Sequence, residues 1–143
     1  MANIYQFSTF YLDGLLFGVE VNQVQEVLRY QEMTPLAPRG VKGLINLRGQ
    51  IVMALDLRQR LALSPRAPED IPMNVIMRTD DGMVSFLVDA IGDSLEVGVE
   101  TFEPPPEMLR GIPRELIRGT YKLQNCQLHA LDTDRALAVG ASA

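Results

Sequence analysis

The sequence predicts an all-β protein of the small-barrel class, and three observations carry that prediction. Short runs rich in β-branched and aromatic residues recur along the chain, turn dipeptides such as Asp13-Gly14 and Asp81-Gly82 separate them, and the stretches with helical period are only one or two turns long. With 143 residues, 47% of them apolar and 22% charged, the chain has the composition of a globular protein. It can bury a core as one compact domain or as two tightly joined barrels.

The elements follow in order. Residues 5–12 and 15–20 read as a hairpin closed by Asp13-Gly14, a pair that readily adopts the positive φ angles of a tight turn. From Val21 to Leu28 the period changes. Val21, Val24 and Leu28 fall on one helical face with Glu26 roughly opposite, which predicts a short helix carrying an exposed acid. Residues 34–40 hold Pro35 and Pro38, which withdraw backbone donors, so a surface loop is expected. Residues 44–47 and 51–55 are apolar at nearly every position and flank Arg48-Gly49-Gln50. They predict a hairpin buried on both faces, the best candidate for central strands. Residues 56–61 suit one helical turn, ended by Ser64-Pro65 and Ala67-Pro68.

The second half repeats the β character. Residues 73–79, the Asp80-Asp81-Gly82 turn and residues 83–91 form another hairpin, followed by a run over 92–99. Pro104-Pro105-Pro106 forces an extended, irregular connection that reaches Arg114 and holds Met108, Leu109 and Ile112 for burial. A last hairpin over 117–123 and 127–131 leads into a short closing helix over 132–137, and residues 140–143 form a tail.

Composition also excludes functions. A formal net charge of −5, with no run of basic residues, argues against a nucleic-acid partner, because phosphate binding needs clustered Lys and Arg. No stretch approaches the ~20 apolar residues that span a bilayer, so direct membrane insertion is not expected. Residues 1–5 lack the pattern of a secretory signal and Cys126 is the single cysteine, which together predict a cytoplasmic protein. His129, the only histidine, alternates with Leu128 and Ala130 in a strand and reads as a structural imidazole. One His and one Cys do not make a zinc site, and neither a dinucleotide nor a phosphate-binding glycine motif is present. No cofactor and no enzymatic activity are expected.

Residues 41–58, Val41-Lys42-Gly43-Leu44-Ile45-Asn46-Leu47-Arg48-Gly49-Gln50-Ile51-Val52-Met53-Ala54-Leu55-Asp56-Leu57-Arg58, resemble the signature of the CheW family. That signature has a G-x-x-N-L-R-G core, an apolar strand and D-L-R. Phe17-Gly18-Val19-Glu20-Val21 and Val24-Gln25-Glu26-Val27 resemble the family's first hairpin and helix, and Leu87-Val88-Asp89-Ala90-Ile91 a downstream strand with a V-D pair. Met53 stands where the family commonly has proline.

The resemblance implies two packed, five-stranded SH3-like β-barrels with short helices, forming one domain over residues 1–143 from two intertwined subdomains. It implies a non-catalytic adaptor that couples the cytoplasmic tip of chemoreceptors to the regulatory domain of a CheA-type histidine kinase. A scaffold of another chemosensory pathway, such as surface motility, is the nearest alternative. A small-barrel peptide- or ligand-binding protein is a further one. Carried over residue by residue, the family's receptor contacts fall on Val24, Glu26, Gly43 and Arg48; the kinase-contact residues are not assigned. Glu26 and Arg48 are expected to pair at the edge of a receptor groove, where an exposed ion pair adds little to stability and serves orientation instead. Val24 also suits the core, and Gly43 also suits a backbone requirement.

Overall fold

The computed structural model describes residues 4–35, 41–80, 82–106, 109 and 111–138. The chain runs through β1 (Ile4–Leu12), β2 (Leu15–Glu20), β3 (Val24–Leu28), β4 (Met33–Pro35), β5 (Val41–Leu47) and β6 (Gln50–Asp56) into the helix α1 (Leu57–Arg60). It continues through β7 (Met73–Thr79), β8 (Gly82–Val88), β9 (Ala90–Gly98), β10 (Phe102–Glu103), β11 (Ile117–Lys122) and β12 (Gln127–Leu131), and then α2 (Thr133–Leu137). The first sheet has the order β10-β11-β12-β2-β1-β9 and the second β3-β7-β8-β6-β5-β4. The second sheet is therefore inserted whole between β2 and β9 of the first. Each sheet has six strands, one of them very short: β10 with two residues and β4 with three.

Both sheets roll up. The two edge strands of the second sheet, β3 and β4, send Leu28 and Met33 to the same apolar cluster, formed by Ile45, Leu47, Val52, Ala54, Ile76 and Leu87. In the first sheet Tyr5 on β1 lies 6.2 Å, ring centre to ring centre, from Tyr121 on β11, although β2 and β12 separate those strands. At roughly 4.8 Å per strand a flat sheet would hold them about 14 Å apart. These are the two packed barrels the family resemblance implies, each sheet having six strands rather than the expected five.

A third and larger cluster joins the barrels. Phe10, Leu12, Phe17 and Val19 of the first sheet meet Leu55, Val75, Met77, Val84, Phe86 and Val88 of the second, with Leu57, Leu61, Leu116 and Ala136 from the helices and connections. Strand alternation explains how one strand serves two cores. On β1, Phe7 points into the first barrel while Phe10 and Leu12 point to the shared cluster; on β7, Ile76 points into the second barrel while Val75 and Met77 point to the shared cluster.

The local chemistry agrees with the turns and caps. Asp13 and Gly14 have φ of 52° and 80°, the two positive angles a two-residue hairpin turn needs. Asp56 caps α1 by accepting from the Arg58 amide at 3.1 Å, and Asp132 caps α2 by accepting from the Arg135 amide at 3.1 Å.

Four expectations are corrected. The helix over Val21–Leu28 is a single 3-10 turn, Val21–Gln23, followed by strand β3, which pairs antiparallel with β7. Val24 and Leu28, four residues apart, fit a two-residue period as well as a helical one, and the open edge of β7 selects the strand. Thr34 and Pro35 belong to β4 rather than to a loop, since an edge strand tolerates a proline; residues 36–40 lie outside the described residues. The β5–β6 hairpin is buried on one face only, with Ile51 64% and Met53 43% exposed on the other. The run expected to break at Gly92 breaks at Asp89 instead, where the chain leaves the second sheet for the first. Of the other expected features, Asp81, residues 107, 108 and 110, and the tail over 140–143 also lie outside the described residues.

His129 is buried on β12. It shares a 3.0 Å hydrogen bond between Nδ1 and Thr120 Oγ1, with the Phe17 ring 5.7 Å away. Burial pushes its pKa below the ordinary 6.5, so the folded protein holds the neutral ring while the unfolded chain takes up a proton. Stability should be intact above pH 6.5 and fall as the pH drops below it, by at most about 1.4 kcal/mol per pH unit. Urea midpoints measured down to about pH 5 should show this slope, and His129→Gln should flatten it.

Candidate functional site

Arg48 sits in the β5–β6 turn at φ 50°, followed by Gly49 at φ 88°. Asn46 Oδ1 accepts from the Gly49 amide at 2.9 Å and holds that turn. The left-handed backbone, uncommon for arginine, keeps the side chain out of the ladder and 67% exposed. Glu26 is placed by a bulge. Val24 is opposite Met77 and Glu26 is opposite Ile76, so three residues of β3 face two of β7. Without the bulge Val24 and Glu26 would share a face. With it, Val24 packs toward the shared cluster and Glu26 turns toward the open end of the second barrel.

There the Arg48 Nη2 donates to both Glu26 oxygens, at 2.9 and 2.5 Å. The expected contact between these residues is present in the structure. It is not a ladder contact, because β7, β8 and β6 lie between β3 and β5 in the pairing order; the pair crosses the barrel mouth. Hydrogen bonding to Glu26, then its charge, raises the Arg48 pKa further above its ordinary value, which holds the guanidinium in its charged form. Exposed apolar groups, Ile51, Met53 and Val27, occupy the same sheet.

Gly43 is not at this mouth. It lies on β5 five residues from Arg48, roughly 17 Å along a strand, paired with Pro35 and Ala54. A Cβ there would come within 2.6 Å of the Thr34 carbonyl oxygen, so glycine is what lets β4 approach β5. Gly43→Ala should loosen β4 from the sheet, seen as faster hydrogen exchange at the amides of Met33 and Ile45 with the rest of the second barrel unchanged.

A second polar cluster forms where the sequence reading placed no site. Asp89 accepts from Arg58 Nε at 2.9 Å and Nη2 at 2.7 Å, from Arg66 Nε at 3.1 Å and from the Asp13 amide at 2.8 Å. Arg66 also faces Asp56 at 3.6 Å. Burial pushes the Asp89 pKa up, but the hydrogen bonds from Arg58, Asp13 and Arg66 outweigh it and bring the value down to about 2. Arg58 and Asp89 both stand in motifs quoted above, D-L-R and V-D; Arg66 stands in none.

Among the described residues, no group of three or more His, Cys, Asp or Glu side chains is arranged to hold a metal ion. No helix among them is long and apolar enough to cross a membrane.

Asp89→Asn strips the charge that two largely buried arginines share. It should cost on the order of 3–5 kcal/mol in urea denaturation. Because the folded pKa is depressed, the wild-type contribution is complete above the unfolded value near 3.8 and is lost only as the pH falls through about 2. The difference between the two proteins should therefore persist down to weakly acidic pH.

Comparison with known proteins places this geometry. A family model described as the CheW-like domain matches residues 6–139. The chemotaxis protein CheW of Treponema pallidum is 29% identical over 134 residues, covering 90% of this chain and 79% of that protein. The probable chemotaxis protein CheW of Rhizobium etli is 32% identical over 105 residues, covering 72% of this chain and 68% of that one. The crystal structure of the scaffolding protein TtCheW from Thermoanaerobacter tengcongensis superposes with a TM-score of 0.81 at 24% identity, covering 98% of this chain and 90% of that chain, and so shares the fold. The two rolled sheets thus have their counterpart in a known fold, and the match over residues 6–139 settles the family: this chain belongs to the CheW-like proteins.

Proposed function

We propose that this protein is a chemotaxis coupling adaptor that acts through binding alone, holding the cytoplasmic tip of a chemoreceptor on one surface and the regulatory domain of a CheA-type histidine kinase on another. The observation that carries the reading is membership of the CheW-like family over residues 6–139. The chemotaxis role is also that of the relatives. In this reading the chain works in the cytoplasm as one unit of two interleaved barrels, and it reaches the membrane through its receptor partner.

The receptor surface in this proposal lies along the mouth of the second barrel. Glu26 and Arg48 offer a fixed pair of opposite charges beside exposed Ile51 and Met53, the mixture of apolar area and oriented polar groups that protein interfaces use. Val24 supports that edge by packing behind Glu26, and Gly43 acts through shape, by letting β4 close the sheet. An exposed ion pair has little weight in folding, so its effect should be seen in recognition.

Capture experiments test both halves of the reading. The wild-type chain should bind a receptor cytoplasmic fragment and a kinase regulatory domain, each separately. Arg48→Glu, which sets two negative groups together at the mouth, should lose receptor capture, keep kinase capture and leave the melting temperature nearly unchanged. Failure of the wild-type chain to capture either partner overturns the adaptor reading; a large drop in melting temperature for Arg48→Glu would make Arg48 a structural residue instead.

A further inference from the structure

Apart from the shared apolar cluster, two of the polar links between the barrels begin on α1, the four-residue helix that follows β6 of the second sheet. Arg58 grips Asp89 with Nε and Nη2, at 2.9 and 2.7 Å. Asp89 occupies the point where the chain crosses from the second sheet to the first. Its other donors are Arg66 Nε at 3.1 Å and the Asp13 amide in the β1–β2 turn, and its own amide donates to the Tyr11 carbonyl at 3.0 Å. One end of the first barrel is thereby tied to α1 through a single carboxylate. Arg60, two residues on, reaches the other way. Its Nε donates to the Ala136 carbonyl at 3.2 Å and its Nη2 to the Arg135 carbonyl at 2.8 Å, at the C-terminal end of α2. The C-terminal end of a helix favours a cation, and the Arg135 carbonyl takes the guanidinium beside its backbone bond from the Ala138 amide at 3.2 Å.

We infer that α1 is the joint that fixes the angle between the two barrels, with Arg58 and Arg60 as its positioning residues. Residues two apart on a helix point about 200° apart, so the two arginines take hold of the first barrel on opposite sides of α1. The helix itself is seated by Leu57 and Leu61, both fully buried in the shared cluster. Apolar burial has no preferred direction and resists sliding weakly, whereas a guanidinium fork on a carboxylate holds both distance and plane. A cluster drawn from both sheets keeps the barrels together, and the two arginine links select one orientation. The inference rests on the fold and not on the receptor reading.

Residual dipolar couplings on the full-length ¹⁵N-labelled chain test it, with the amides of each sheet fitted separately to an alignment tensor. In the wild-type protein both sets should give one common tensor. Arg60→Ala leaves the apolar cluster intact and should make the two tensors diverge in axes or magnitude, while Arg60→Lys, which still brings a cation to α2, should restore a common one. Arg58→Lys keeps the charge and loses the fork, and it should also split the tensors. A melting temperature is recorded for every variant. Lowered melting temperatures with the wild-type tensor relation retained in both Arg60→Ala and Arg58→Lys would make these arginines stabilising residues only and overturn the inference. Loss of receptor or kinase capture by the wild-type chain would leave this result untouched.

Discussion

The apolar seam between the two sheets is the constraint on which the rest of the molecule depends. Phe10, Phe17, Val75, Met77 and Phe86 bury one face of strands whose other face already lines a barrel. A strand covered on both sides has no surface left for partners. Recognition is thereby confined to the edges, the hairpin turns and the outer part of β5 and β6, where Ile51 and Met53 remain in water.

The two polar clusters differ in what surrounds them. Asp89 sits among largely buried arginines, where removing one partner strands the others, and its low pKa measures how strongly the site holds the charged form. Glu26 and Arg48 lie at the surface, where either charge can be satisfied by solvent. Burial thus separates a cluster that holds the architecture from a pair that is free to serve recognition.

Much of the fold was legible in the residues. Asp13-Gly14 announced the first hairpin, the Asp80-Asp81-Gly82 turn announced the hairpin of β7 and β8, and Asp56 and Asp132 stood where short helices begin. What escaped had physical causes. β3 satisfied two periods at once, and a bulge at Gln25 spoiled its alternation. The outer face of β6 carried Ile51 and Met53, apolar residues that imply burial from sequence alone. The break at Asp89 had no glycine or proline to mark it. The contact between Glu26 and Arg48 followed from the family resemblance and not from spacing, since 22 residues and the curl of a whole sheet bring them together. Arg66 had no local signal, because its partners Asp56 and Asp89 come from two separate segments.

The insertion of one sheet inside the other has a consequence for how the chain assembles. All the strands of the second sheet fall within residues 24–88, an unbroken stretch that can complete its ladder as soon as it leaves the ribosome. The first sheet cannot. β2 needs β12 as its parallel neighbour, more than a hundred residues downstream, so β1 and β2 form a hairpin with an open edge until β12 has been made. Closing so long a loop is slow. Val75, Met77 and Phe86 of the second sheet form the apolar surface on which that hairpin packs, so the seam that joins the barrels also covers the inner side of β1 and β2.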